Sequence, residues 1–143
     1  MLIRKRVYYA IKVILFFAFC KKESFSSKEL SARLSISGKV LEQVLLLLKN
    51  KGILASKRGP QGGYRLMQDV SDLSLMDIIE NIGEDVDVLS AEYCPGRALD
   101  LIMKEMEEEV KCGVVSRLRG MKVSKMVKSM KKKVTETGLN YSI

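Results

Sequence analysis

The stretch that most restricts the fold is "SFSSKELSARLSISGKVLEQVLLLLKNKGI", residues 24–53. Ser26 with Glu29 three residues on forms a capping box, which predicts a short helix over 27–34. "SISG" then places Ser and Gly where the chain must turn sharply. A second helix is predicted over 39–50. It carries Leu41, Val44, Leu45 and Leu48 on one side and Lys39, Glu42, Gln43 and Lys49 toward the other, with Gly52 just past its end. Two short helices joined by a turn of about four residues make a helix-turn-helix.

The next residues narrow the choice further. "ILASK" and "YRLM" are β-capable segments on either side of "RGPQGG", so a hairpin follows the second helix directly. Helix, helix, hairpin is the order of a winged helix-turn-helix. In that arrangement the second helix enters the major groove of DNA and the hairpin tip reaches the backbone or the minor groove. Gly59, Gly62 and Gly63 are expected to let the tip take positive φ values and approach a phosphate closely, with Arg58 supplying the charge.

Ahead of this module, "VYYAIKVILFFAFC" repeats apolar residues at helical spacing. Tyr8, Ile11, Leu15 and Phe19 are expected to form the inward face, widened by Val7, Ile14 and Ala18. The basic "MLIRKR" before it imitates a secretory signal. However, the apolar run is too short for a spanning helix, which needs ~20 residues, and Phe19 stands before Cys20 where a cleavage site needs small residues. A buried first helix is the expectation.

Behind the hairpin, Ser74 and Asp77 cap a short helix running to about Asn81, Gly83 ends it, and "DVDVL" alternates like a short strand. After "CPG" a long helix is predicted from about Arg97. Leu99, Ile102, Met103, Met106, Val110, Val114, Leu118 and Met121 recur along it every three or four residues. Nothing in so short a chain is long enough to cover that stripe, so pairing with a second copy is expected. The divisions are therefore 1–67 as the winged helix-turn-helix, 68–96 as linker, short helix, strand and loop, 97–130 as a dimerisation helix and 131–143 as a basic and polar tail. The fold class is mostly α with a small β-wing.

Charge follows these divisions. Residues 1–67 hold 14 Lys and Arg against 3 Asp and Glu, residues 68–109 hold 2 against 13, and residues 110–143 hold 9 against 1. A basic reading module makes nucleic acid the first partner to consider. Histidine is absent, which removes the commonest general base and metal ligand. With no phosphate-loop signature and no nucleophile beside a base, an enzyme is not expected. The carboxylates of "EMEEEV" read as a solvated helix face rather than a metal site. "KMVKSMKKK" reads as a solvated basic segment that assists DNA binding without specificity rather than one that touches a membrane.

"YYAIKVILFFA", "ELSARLSIS", "LEQVLLLLKNKGI", "SKRGPQGGYRL" and "LSLMDIIENI" together resemble the Rrf-two (Rrf2) family of bacterial winged-helix transcription regulators, over about residues 7–82. The wing is the specific part of the match. Three cysteines, an odd number and far below disulfide-scaffold density, point to a reducing cytoplasm. The resemblance implies a homodimer, expected to be a repressor, on a pseudo-palindromic operator. Ser37, Lys39, Val40, Glu42 and Gln43 then look like the groove-facing start of the reading helix, and Arg58 like the wing residue at the minor groove. Lys28, Lys57, Gly59, Gln61, Gly62, Gly63 and Tyr64 complete the expected DNA-binding set. Glu42 and Gln43 have fitting chemistry, since a carboxylate accepts from cytosine N4 and a primary amide can bond adenine bidentately. Ser31 and Ser35 depart from the Ala and Gly often found at these positions in the family.

Cluster-binding members present three closely spaced cysteines between the strand and the long helix. This chain has only Cys94 there, while protein-bound clusters usually take four thiolates. No cofactor or metal is expected, with an iron–sulfur cluster at Cys94, completed by other ligands, as the alternative. Cys94 is left as a candidate redox sensor, since a following helix N-terminus favours the thiolate; an inert loop thiol is the alternative. Cys20 and Cys112 are expected to be small core fillers. A winged helix used to dock an acidic protein is the second functional class, though it does not require cations at both the reading helix and the wing tip.

Overall fold

In the computed structural model of the chain the described residues are 4–20, 24–88, 94 and 96–138. The element order is α1 (Lys5–Cys20), α2 (Ser27–Leu34), α3 (Gly38–Asn50), β1 (Leu54–Lys57), β2 (Gly63–Leu66), α4 (Leu75–Asn81), α5 (Ala98–Gly120) and α6 (Val123–Thr137). Helices dominate, and the one sheet among the described residues is the antiparallel hairpin β1–β2. This is the winged helix-turn-helix that the punctuation of residues 24–67 specifies.

The two capping boxes form as written. Ser26 accepts from the Glu29 amide while Glu29 accepts from the Ser26 amide, and Ser74 and Asp77 do the same for α4. Between α2 and α3 the chain turns through Ser35 at φ 52°, ψ 45°, the left-handed region, with the Ser31 hydroxyl donating to the Ile36 carbonyl at 2.7 Å. Lys12, the one charge inside the apolar run of α1, donates to the Leu34 carbonyl at 2.6 Å. It therefore closes the C-terminus of α2, where a cation meets the negative end of the helix dipole.

Leu41, Val44, Leu45 and Leu48 of α3 are buried against α1 and α2, which fixes the rotation of α3 about its axis. In α1 the buried positions are Val7, Ala10, Val13, Ile14, Phe16 and Phe17, and Tyr8 is 58% exposed. The expected face through Tyr8, Ile11, Leu15 and Phe19 is thus corrected. Apart from exposed Tyr8 these residues are half-buried on the flank, because Phe16 and Phe17 turn inward to pack, tilted and edge-on, against Phe25 at 4.9 and 5.4 Å between ring centroids.

The predicted strand at 85–89 does not form over 85–88, and Leu89 lies outside the described residues. Val86 is buried and Val88 half-buried, but among the described residues no strand edge pairs with them to supply ladder hydrogen bonds. Ion pairs hold the segment instead: Glu84 with Arg4 and Arg6, and Asp85 with Lys111 of α5 at 2.7 Å. Lys111 holds the Asp85 carboxyl below its usual range, and Asp85 raises the Lys111 ammonium in return.

The long helix predicted over 97–130 is two helices. Met121 and Lys122 run extended beside Leu73–Leu75. The Leu75 amide donates to the Met121 carbonyl at 3.0 Å and the Val123 amide to the Leu73 carbonyl at 2.9 Å. From there α6 packs back on α1 through Val123 and Val127, so residues 131–137 of the expected tail are helical. Residues 139–143 of that tail lie outside the described ones.

Candidate nucleic-acid interface

Three serines begin the three short helices, and they are used differently. Ser26 and Ser74 spend their hydroxyls on capping. Ser37, at the start of α3, makes no side-chain capping bond and is exposed. The first turn of α3 thus keeps its amides and the positive end of its dipole turned outward. With the Leu41–Leu48 side of the helix buried, Lys39, Glu42 and Gln43 are exposed. Val40 is half-buried and packs against the core.

The wing follows from its register, Leu54↔Leu66, Ala55↔Arg65, Ser56↔Tyr64 and Lys57↔Gly63. At its tip Lys57, Arg58, Gly59, Pro60 and Gln61 are exposed, and the Gly62 amide donates to the Gly59 carbonyl at 2.9 Å. Gly59 has φ +116° and open space where a Cβ would sit, which suits close approach from outside. The other two glycines have a different reason. A Cβ on Gly62 would lie 2.3 Å from the Lys57 carbonyl oxygen, and one on Gly63 would lie 2.5 Å from that of Phe25. Gly62 and Gly63 therefore let the hairpin fold on itself and lie against the strand-like Phe25, correcting the expectation that all three serve a phosphate. The Phe25–Tyr64 pairing closes with hydrogen bonds of 3.0 and 2.7 Å, leaving Tyr64 half-buried against the core.

Two hollows lie beside these parts. A hollow beside α2 is lined by Ser27, Lys28, Ser31, Gly38 and Glu42, joining the first turn of α2 to that of α3. Ser24, two residues before the capping Ser26 of α2, lines a second hollow with the hairpin residues Lys57, Gln61 and Gly63. Lys28, on the rim of the first hollow, is exposed. Sequence reasoning missed Lys5, which lines a hollow with Tyr9, Val40 and Gln43 beside α3. The basic "MLIRKR" was the available signal, read there only as an imitation of a leader.

The C-terminal stripe divides. Leu99, Ile102, Met103, Met106 and Val110 are exposed, Leu99 by 72% and Ile102 by 60%. Val114 is half-buried and Leu118 is buried in the chain's own core. Met121 lies past the end of α5, so the stripe expected as one seam from 99 to 121 is corrected to its first half. Cys112 is exposed on α5 rather than filling a core, and Cys20 is half-buried. Cys94 is exposed, ahead of the first turn of α5.

Among the described residues no helix is long and apolar enough to cross a membrane, and no three His, Cys, Asp or Glu side chains gather as a metal site. The family model described as "Iron-dependent Transcriptional regulator", Rrf2, matches residues 3–129. The HTH-type transcriptional regulator IscR of Vibrio atlanticus is 38% identical over 91 residues, 63% of this chain and 51% of that protein. The chain thus spans about half the length of such curated relatives. Among solved structures, T. potens IscR superposes with a TM-score of 0.70 at 25% identity, over 91% of this chain and 88% of that one. CymR of B. subtilis, titled the global cysteine regulator, gives 0.68 at 22% identity over 90% and 98%, which speaks for the fold alone. An iron–sulfur cluster would need several thiolates, and between residues 21 and 111 the sequence contains only Cys94. The residues present do not fit a cluster held by one chain.

Proposed function

The chain belongs to the Rrf2 family of transcriptional regulators, and we propose that it is a homodimeric, sequence-specific DNA-binding regulator that lays α3 in the major groove and the wing tip at the minor groove. The observation that carries this reading is the exposure of Lys39, Glu42 and Gln43 at the uncapped start of α3 together with that of Lys57 and Arg58 at the wing tip. These two elements offer phosphate-seeking cations, and Glu42 and Gln43 offer base-reading groups on one of them. Exposure of Leu99, Ile102, Met103, Met106 and Val110 on one helix supports pairing of two copies, since monomers seldom leave such a patch in water.

Fluorescence anisotropy on duplex from the region upstream of the chain's own gene tests the reading. Binding should be salt-dependent and tighter than to a scrambled duplex; equal affinity for the two overturns specificity. Arg58→Ala should weaken binding by roughly 1–3 kcal/mol if the guanidinium makes a groove contact. An unchanged affinity removes Arg58 from the interface.

A further inference from the structure

The chain leaves α4 through Gly83, at φ +77°. The Gly83 amide donates to the Glu80 carbonyl at 3.0 Å and the Glu84 amide to the Ile79 carbonyl at 3.1 Å, which closes the helix end. Ile82 and Val86, two residues to either side of Glu84, are buried. The backbone of Glu84 is therefore fixed. Its side chain, only 4% exposed, reaches the start of α1, where one carboxylate pairs with two arginines, Arg4 at 3.4 Å and Arg6 in close contact.

The place of this cluster gives it a consequence for binding. Arg6 lines the hollow between α1 and α3 together with Lys5, Tyr9, Val40 and Gln43. The cations at the start of α1 thus flank the helix that carries the base-reading groups. Lys5, in the same hollow, has no Asp or Glu within ion-pair distance among the described residues. Three successive cations beside a DNA groove would all seek phosphate, yet Arg4 and Arg6 are already engaged. A pair on the open surface separates easily. Here the carboxylate is withdrawn from water, and arginines that left it for phosphates would uncover a buried charge, which is costly.

Attraction to DNA of any sequence grows with the number of phosphates a protein neutralises, and a regulator must find its site among many competing ones. Residues 1–67, with 14 Lys and Arg against 3 Asp and Glu, carry an excess that favours every duplex. Resting on the DNA-binding reading above, we propose that Glu84 restrains non-specific binding: by holding Arg4 and Arg6 it takes two cations out of the phosphate-seeking set beside α3 and leaves that edge to Lys5.

The test is anisotropy with fluorescein-labelled upstream and scrambled duplexes between about 50 and 200 mM salt. Glu84→Gln keeps the size of the side chain and removes its charge. It should tighten binding to the scrambled duplex and steepen the slope of log affinity against log salt by up to about 1.8, at ~0.9 for each arginine released. Adding Arg4→Gln and Arg6→Gln to Glu84→Gln leaves no charge of the cluster and should return the slope to the wild-type value. Loss of a merely structural contact would weaken binding without steepening its salt dependence. Circular dichroism checks folding, and Glu84→Ser, whose smaller side chain admits water, replaces Glu84→Gln if that variant unfolds. An unchanged or shallower slope without the Glu84 charge overturns the proposal and leaves the DNA-binding reading intact, as does a triple variant whose slope falls below the wild-type value. Absence of any duplex binding by the wild-type chain overturns both.

Discussion

Leu45 of α3 and Ile102 of α5 are both apolar residues on a helix with a charged opposite side. Leu45 is fully buried, whereas Ile102 is 60% exposed. Around Leu45, three helices and the hairpin converge on Ile14, Leu30, Leu41, Leu48 and Phe25. Ile102 has no place in the buried core of the described residues, and Leu99, Leu101, Met103 and Met106 share its exposure. One region has satisfied its apolar surface internally; the other leaves it exposed among the described residues. A helix pattern read from sequence cannot distinguish them, because amphipathicity states that a face must be covered without saying by what.

The sharpest way to break this comparison is to put charge on each side of it. Ile102→Asp with Met106→Asp should leave the helical circular dichroism and the unfolding of the winged module unchanged, yet convert a dimer to a monomer in sedimentation velocity. Each copy loses two apolar contacts, so self-association should weaken by at least about 100-fold. Leu45→Ala should do the converse, costing roughly 2–5 kcal/mol in urea unfolding of the module itself. If the α5 pair of aspartates unfolds the module as Leu45→Ala does, the two regions are one core after all.

A smaller effect sharpens the same contrast inside the wing. Gly63→Ala would force a Cβ against the Phe25 carbonyl, 2.5 Å away, at φ +153°. The loss should be roughly 1–3 kcal/mol, measured as a lowered unfolding midpoint. Gly59→Ala meets no neighbouring atom and should cost less, the strain of its positive φ alone. Equal losses would mean that the pairing with Phe25 does not hold the hairpin.

Local signals explain which elements were legible. Ser26 with Glu29 and Ser74 with Asp77 mark helix starts within four residues, and the alternation around "RGPQGG" marks a hairpin within twelve. The inward face of α1 was misread because the helix is apolar nearly all round, so periodicity selects no side; Phe25, outside the helix, selects it. The break after Gly120 was invisible because the apolar period carries on through Val123 and Val127 while the chain between is held by Leu73 and Leu75, more than forty residues earlier. Lys57 and Arg58 were found from composition at the tip.

The junction between the two regions provides the subtlest test. Ser74, buried and capping α4, lies opposite Lys122 at the bend between α5 and α6. The Ser74 side chain and amide hold the Asp77 carboxyl below its usual range, with Lys122 and Arg119 at 3.9 and 3.8 Å adding attraction. A folded-state pKa below the unfolded value means that the stabilisation is present above the unfolded value, about 3.8, and is lost as pH falls through the folded one. Asp77→Asn should therefore cost roughly 0.3–1 kcal/mol near neutral pH, as for a carboxylate in a first helical turn. That difference from wild type should close on acidification below pH ~3.8. Urea unfolding of both proteins at neutral and acid pH measures it. A difference that persists unchanged at low pH would show that the amide disturbs packing at the bend, and that charge on Asp77 contributes nothing to joining α4 to the C-terminal helices.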